Sequence, residues 1–174
     1  MTLNHYRIPP MVFLAFIVAV ATGCEAASGD VAERPHVTGG SDLERGRYLA
    51  IIGGCNDCHT DGYLQTEGDV PEDQWLMGSP MGWRGPWGTT YARNLRLTVQ
   101  NLTEDGWVAL LQTRKALPPM PWMNVNQMAE TDARILYRYI RLLGPGGETM
   151  PMPVPPDQDP MTPYLNLIPT VPGQ

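Results

Sequence analysis

The stretch Cys55–His59, which reads Cys-Asn-Asp-Cys-His, determines how the rest of this 174-residue chain is interpreted. The pattern C-x-x-C-H is the attachment motif of a covalently bound c-type haem. Its two thiols stand one helical turn apart, so each can form a thioether to the same porphyrin edge. The histidine that follows is then held beside the iron as an axial ligand. The motif predicts one haem c, bonded through Cys55 and Cys58, with His59 on the metal.

Two other interpretations of the cysteine pair are weaker. A zinc site needs more ligands, and the only other cysteine, Cys24, lies in a leader-like segment far from any second ligand pair. A thioredoxin-like redox pair favours a strand-helix setting rich in β-branched residues, whereas Cys55 follows an amphipathic helical stretch and two glycines. Haem attachment is therefore the interpretation that we retain.

Residues 1–23 have the layout of an export signal. Arg7 supplies positive charge, and Met11 to Ala21 is an unbroken apolar run followed by small residues. The run holds 11 residues. That is too short to span a bilayer, which takes roughly 20 residues. We therefore expect a signal peptide over 1–23.

Two cleavage patterns compete at the end of this signal. Residues 19–21 fit the small-x-small rule for ordinary cleavage, while residues 21–24 resemble a bacterial lipobox with Cys24 as the lipidated residue. The second is favoured, because an unpaired thiol in an oxidising compartment is a liability. We expect a lipid anchor at Cys24 on the periplasmic side of a bacterial membrane, with a soluble periplasmic protein as the alternative.

The charge of the chain bears on its partners. Removing residues 1–23 takes away one basic residue, Arg7, and no acidic one, which leaves 18 acidic against 11 basic residues and a net charge of −7. Nucleic acid is therefore not an expected partner. An acidic surface suits docking to basic patches, and it also serves solubility.

Composition and periodicity divide the remaining chain into a linker, a domain and a tail. Residues 24–40 lack an apolar period and predict a flexible linker, residues 41–143 form the domain, and residues 144–174, with nine prolines, predict an extended tail that wraps the domain or projects from it. Helices are predicted from a capping box at 41–44 to Gly53, from Thr103 onward, and over 131–143. The expected fold is all-α, with three main helices around one haem and long irregular loops.

The loop over residues 60–102 is rich in glycine, proline and tryptophan, and its aromatic residues are expected to pack on the haem. Three arginines in it, Arg84, Arg93 and Arg96, are candidates for pairing with haem propionates. An exposed position on the surface is the alternative for each of them.

A second axial ligand is predicted at Met120. Pro119 and Pro121 restrict the backbone on both sides of it, so the sulfur can be presented to iron with little ordering cost. Met123 is the nearest alternative, and Met77 and Met81 are further ones, since methionine often serves only as core filling.

These features together resemble a class I cytochrome c of bacteria. The order is a helix, C-x-x-C-H, a long haem-covering loop, a methionine-proline strap and a final helix, over residues 41–143. Segments 45–50, 88–95 and 119–122 are similar to the cytochrome domains and subunits that accompany periplasmic dehydrogenases. In that family the first and last helices cross near a small residue, which implies a contact between Gly46 and Tyr139.

The resemblance implies an electron carrier rather than an enzyme, with one haem c held by Cys55 and Cys58 and ligated by His59 and Met120. Its expected partners are redox proteins, such as a periplasmic dehydrogenase or a terminal oxidase. A fixed haem c subunit of a dehydrogenase or oxidase complex, with the proline-rich tail as a docking arm, is the alternative. A haem enzyme or gas sensor with an open iron is a third hypothesis.

Overall fold

The computed structural model of the protein describes Met1 and residues 34–173. The predicted export signal, the predicted lipid anchor at Cys24 and the first part of the linker lie outside these residues. Within the described part, no helix is both long and apolar enough to cross a membrane.

Residues 34–173 contain six α-helices and three short strands. The helices are α1 (Asp42–Ile52), α2 (Cys55–His59), α3 (Leu95–Gln100), α4 (Glu104–Thr113), α5 (Trp122–Val125) and α6 (Glu130–Leu142). The strands are β1 (Gly82–Gly85), β2 (Gly88–Tyr91) and β3 (Tyr164–Asn166). The three helices predicted from the sequence are present as α1, α4 and α6.

Polar side chains explain where α1 and α4 begin. The Glu44 amide donates to the Ser41 hydroxyl (3.2 Å) and the Ser41 amide donates to the Glu44 carboxylate (2.8 Å), which completes the predicted capping box. On α4 the Gly106 amide donates to the Thr103 hydroxyl at 3.0 Å. Each bond satisfies an amide that has no partner within its own helix.

The prediction of an all-α fold with long irregular loops is wrong. The loop between α2 and α3 contains a hairpin of β1 and β2, in which the pairing of Gly85 with Gly88 leaves a two-residue turn. Strand β3 comes from the proline-rich tail and pairs in parallel with β1, so the mixed sheet has the order β2-β1-β3. The hairpin forms because β2 consists largely of threonine and tyrosine, which favour strands over irregular structure.

The core lies where α1 crosses α6, with α4 packed beside them. The inward face of α6 is the predicted one, and Ile135, Leu136, Tyr139 and Ile140 are buried. Trp107 of α4 is buried as well, and its indole N–H donates to the Ala133 carbonyl oxygen at 3.0 Å. The hydrogen bond satisfies the one polar atom of a large apolar side chain, so Trp107 fixes α4 on α6.

The arginines of α6 join three helices at the surface. Arg138 binds the Asp42 carboxylate of α1 and the Glu104 carboxylate of α4, both at 2.9 Å. Arg134 binds Asp105 at 2.7 Å and Glu130 at 2.7 Å. Each exposed pair contributes little by itself, but together they form a network across the ends of α1, α4 and α6.

The proline-rich tail lies along the domain. The Asn94 side-chain amide donates to the carbonyl oxygens of Gly146 (2.8 Å) and Glu148 (3.1 Å). Further on, Thr89 and Val154 exchange two backbone hydrogen bonds, of 2.8 and 2.9 Å. The tail then reaches β3, so residues 144–167 are bound to the domain at intervals along their length.

The described end of the predicted linker also contacts the domain. Arg34 donates to the Asn126 carbonyl oxygen at 2.8 Å, and the Val37 amide donates to the Asp132 carboxylate at 3.0 Å. Val37 packs against the hydrophobic core. Residues 34–37 therefore have fixed partners on and beside α6.

We expect Gly46→Ala to destabilise the fold by about 1–3 kcal/mol, the usual cost of overpacking a core. A Cβ at Gly46 would lie 2.4 Å from the Tyr139 Cβ and 3.0 Å from the Ile135 carbonyl oxygen, so α1 and α6 would have to separate. Guanidinium unfolding followed by circular dichroism measures the free energy of unfolding.

Gly106→Ala in α4 is the matched control. Its added Cβ would meet the Thr103 hydroxyl at 3.2 Å and no backbone atom of another helix, so we expect a change of less than about 1 kcal/mol. Equal stability of wild type and Gly46→Ala would show that the α1–α6 contact is not closely packed.

Candidate haem site

The Cys-Asn-Asp-Cys-His motif forms the short helix α2. Gly54 precedes it in the left-handed conformation (φ 65°), which ends α1 and redirects the chain without a Cβ clash. Cys55 and Cys58 are free thiols, and each is half-buried. Both sulfur atoms are therefore placed one helical turn apart on α2, as the motif predicts.

The electrostatics of these cysteines differ from those of a reactive redox pair. Burial raises the pKa of Cys55 to about 11 and raises the pKa of Cys58, and the nearby Asp57 carboxylate adds to both shifts. Cysteines of thioredoxin-like pairs have lowered pKa values, because the thiolate is the nucleophile. The surroundings of Cys55 and Cys58 thus argue against thiol-disulfide exchange as their role.

His59 is held in one orientation by its ring and its backbone. It is 8% exposed, and its Nδ1 lies 2.6 Å from the Arg93 carbonyl oxygen. A carbonyl oxygen only accepts, so Nδ1 carries the proton and Nε2 keeps its lone pair. The Gly78 amide donates to the His59 carbonyl oxygen at 2.7 Å, which fixes the backbone as well.

The protonation state of His59 suits a metal ligand. Burial lowers the pKa of His59, and the hydrogen bond to the Arg93 carbonyl only partly opposes this shift. The imidazole is therefore neutral at physiological pH. A neutral ring whose Nδ1 hydrogen bonds to a backbone carbonyl is the usual arrangement of a histidine that ligates through Nε2.

The predicted strap around Met120 is anchored to the strand that leads to Arg93. The Thr90 hydroxyl donates to the Pro118 carbonyl oxygen at 2.6 Å, and the Pro118–Pro119 peptide bond is cis. Thr90 and Arg93 are three residues apart in extended chain, a span of about 10 Å. One short stretch of chain thus holds both His59 and the segment that carries Met120.

The methionine candidates have different surroundings. Met120 is half-buried in the strap, whereas Met123 lies on α5 and is 74% exposed. Met77 packs under the tail, where a Cβ on Gly146 would come within 2.8 Å of its methyl carbon. No described contact joins Met120 to His59, so ligation by Met120 remains a prediction.

The side chains of the three arginine candidates contact other residues of the chain. Arg96 is 5% exposed and donates to the carbonyl oxygens of Asp73 and Gly144, both at 2.6 Å, and of Leu143. It therefore caps the carbonyl end of α6. The alternative of an exposed surface position is therefore wrong for Arg96. Its hydrogen bonds go to backbone carbonyl oxygens, none of which belongs to the Cys-x-x-Cys-His motif.

Arg84 and Arg93 both face the proline-rich tail. Arg84 binds the Asp159 carboxylate at 3.2 Å and donates to the Gln158 carbonyl oxygen at 2.8 Å. Arg93 is exposed, and its guanidinium lies 3.7 Å from the Met152 sulfur. Both side chains hold the tail against the hairpin region.

Trp75 also has a role that the sequence did not reveal. It is buried among protein side chains, with the Tyr63 ring edge-on at 5.9 Å and the Arg47 guanidinium 5.1 Å above its own ring. Its indole N–H donates to the Val70 carbonyl oxygen at 2.7 Å. Trp75 therefore packs in the protein core, and its ring is not left exposed for a cofactor to pack on.

Trp87 and Asn56 are left with unsatisfied polar atoms. The Trp87 indole nitrogen and the Asn56 side-chain nitrogen are buried and have no hydrogen-bond partner among the described residues. Arg45 Nε on α1 is the third buried atom of this kind, so these atoms do not mark a cofactor site. The two thiols and the neutral, oriented imidazole are the set that fits a haem c.

Comparison with known proteins gives one curated relative. The chain is 31% identical over 110 aligned residues to the fructose dehydrogenase cytochrome subunit of Gluconobacter japonicus. The match covers 56% of this chain, which corresponds to only 20% of the relative's length. No family model and no solved structure matches the chain.

Proposed function

We propose that this protein is an electron-transfer subunit that carries one covalent haem c and serves a dehydrogenase complex. The observation that carries the proposal is the hydrogen bond from His59 Nδ1 to the Arg93 carbonyl oxygen, 2.6 Å long, directly after the two cysteines of the motif. It leaves Nε2 oriented and able to bind iron. The similarity to a cytochrome subunit supports the same conclusion.

Each site residue has a separate task in this proposal. A bound haem would supply the one-electron couple between Fe(III) and Fe(II). Cys55 and Cys58 would hold it covalently, and His59 and Met120 would supply a nitrogen and a sulfur to its iron. The ring of His59 and the Met120 strap are anchored to the same segment, so that segment would hold both ligands in place.

Two observations support a fixed subunit over a free carrier. The relative is itself named as a subunit of a dehydrogenase. The tail is also bound to the domain and leaves large apolar side chains exposed, among them Tyr164, Leu165 and Ile168. Isolation in mild detergent distinguishes the two roles, because a subunit elutes with a larger dehydrogenase and a free carrier elutes alone.

Export and lipid anchoring form part of the same proposal. Haem c attachment and a partner dehydrogenase outside the cytoplasm are consistent with the signal over residues 1–23 and the lipobox that ends at Cys24. An anchored subunit would remain beside its donor instead of diffusing away. Both features rest on the sequence alone.

Cys58→Ser tests the attachment of haem. We expect the variant, produced with a cytochrome c maturation system, to lose normal double attachment, which the pyridine haemochrome spectrum detects as a shifted band of a haem bonded through one cysteine. Cys24→Ser is the matched control and should keep the wild-type haem content while releasing the protein from membranes. If the wild-type protein, produced in the same way, carries no covalent haem, the proposed function is wrong.

Met120→Ala tests the second axial ligand. We expect the change to remove the weak thioether-to-iron absorption of the ferric protein, to admit carbon monoxide to the reduced protein, and to lower the reduction potential, because the soft thioether favours Fe(II). Met123→Ala, a change of the same size at an exposed methionine, should leave all three unchanged.

The paired variants also separate the remaining hypotheses. Loss of the absorption only in Met123→Ala would show that Met123, rather than Met120, is the ligand. The electron-transfer proposal would then stand. Carbon monoxide binding to the native reduced protein, with neither variant altering the spectrum, would favour the haem enzyme or gas sensor with an open iron.

A further inference from the structure

One exposed surface carries positive charge on a chain that is acidic overall. Arg114 and Lys115 follow α4 directly, and both are exposed. The nearest acidic residues in the sequence, Asp105 and Glu130, are each bound to Arg134 at 2.7 Å. The charges of Arg114 and Lys115 are therefore not neutralised by their neighbours in sequence, although the chain without its predicted signal has a net charge of −7.

Large apolar side chains lie beside these two charges. Leu117 is 50% exposed and Met123 is 74% exposed. The Arg114 guanidinium lies 5.4 Å from the centre of the Trp122 ring, within the range of a cation–π contact. We call Arg114, Lys115, Leu117, Trp122 and Met123 the basic patch. Exposed apolar groups next to basic ones suit a lipid surface, where the apolar groups enter the interface and the charges stay among the headgroups.

The described end of the linker reaches the domain at the basic patch. Arg34 is exposed and donates to the carbonyl oxygens of Asn126 (2.8 Å) and Met128 (3.3 Å). The Asn126 side-chain amide in turn donates to the Arg114 carbonyl oxygen at 3.2 Å. Arg34 therefore adds a third positive charge next to the patch.

The predicted lipid anchor is close to this point along the chain. Cys24 and Arg34 are ten residues apart. A chain of that length spans at most about 36 Å when fully extended. The linker is then fixed on α6, because the Val37 amide donates to the Asp132 carboxylate at 3.0 Å. The basic patch is therefore the surface of the domain at which a tether from Cys24 arrives.

We propose that the basic patch is a second membrane contact, which binds the anionic headgroups of the bilayer that holds the lipid on Cys24. The inference rests on the proposed function, since it needs the lipid anchor of that proposal. Stable attachment often combines a lipid with a group of basic residues, each attracted to anionic phospholipids. The same headgroups repel the acidic remainder of the domain, so the contact would also fix its orientation.

The Met120 strap connects the two halves of this surface. It lies between Leu117 and Trp122 in the chain, so a docked domain would hold that side of the candidate site toward the bilayer. Lipid anchoring alone would leave the orientation of the domain free. The basic patch would supply the orientation that the anchor lacks.

Lys115 is the only lysine of the chain, and its amine can therefore report the contact. The lipidated, haem-loaded protein is inserted into vesicles of phosphatidylcholine, with or without phosphatidylglycerol, neither of which has a primary amine. A water-soluble amine-reactive reagent is added, and mass spectrometry of the peptide follows the labelling. We expect labelling to be at least about fivefold slower on the anionic vesicles, and high salt to abolish the difference.

Arg141→Lys is the matched control for the labelling. It adds an amine at the other end of α6, where Arg141 is exposed and its guanidinium binds Gln100. That end of the helix lies roughly 18 Å from the end that follows Met128, since α6 rises about 1.5 Å per residue. The added amine should be labelled at the same rate on both kinds of vesicle.

Arg114→Gln and Arg141→Gln test whether the position of the charge matters. Both remove one exposed positive charge, but only the first removes it from the basic patch. We expect Arg114→Gln to weaken the protection of Lys115 about fivefold, the usual contribution of one basic residue at an anionic membrane. Arg141→Gln should leave the protection unchanged.

The outcomes separate this inference from the proposed function. Equal labelling of Lys115 on both kinds of vesicle, in lipidated protein with covalent haem, would overturn the membrane contact alone. Equal effects of Arg114→Gln and Arg141→Gln would also overturn it, because net charge would then act rather than the patch. Protection that appears only when the dehydrogenase is added would assign the patch to a protein partner instead.

The state of Cys24 and of the haem gives the remaining outcomes. Protein without a lipid on Cys24 would overturn the contact together with the anchor. Lipidated protein without covalent haem would overturn electron transfer, and the labelling of Lys115 would still decide the membrane contact.

Discussion

The hydrogen bond between His59 Nδ1 and the Arg93 carbonyl oxygen is the interaction on which the candidate site depends. It orients the imidazole, and it ties the motif helix to the segment that runs from β2 into α3. The same segment holds the Met120 strap through Thr90 and the tail through Asn94. A displacement of residues 90–94 would therefore move the imidazole, the strap and the tail together. Predicted ligands that are far apart in sequence share one support.

Features that depend on neighbouring residues could be predicted from the sequence. The capping box at Ser41 and Glu44 and the apolar face of α6 follow local rules, and the structure contains both. The Cys-x-x-Cys-His motif is local as well, so the placement of both thiols on one short helix followed directly. The contact of Gly46 with Tyr139 came from the family resemblance instead, and it is present in the structure.

Features that depend on distant partners could not be predicted in the same way. Strand β3 is only three residues long and lies among prolines. It forms a strand because its backbone pairs with β1, where Leu165 lies opposite Trp83. Arg96 gave no local sign of burial, since its three acceptors are carbonyl oxygens far away in sequence. The unpaired Trp87 indole nitrogen likewise has no sequence signal, because burial without a partner is a property of the folded chain. The all-α prediction failed for this reason at β3, whereas the β1–β2 hairpin is local and follows the strand preference of β2.

The parallel pairing of β3 with β1 also bears on the order in which the protein is assembled. Its first pair joins Gly82 with Tyr164, far apart in the chain, whereas the β1–β2 hairpin closes over two residues. Closing such a long loop is slow relative to closing a hairpin, so we expect the tail to dock after the motif helix and hairpin have formed. Until it does, the edge of β1 that faces away from β2 stays unpaired and can accept another strand. Docking of the tail replaces this four-residue edge by one of three residues among prolines, which pairs poorly with a second chain.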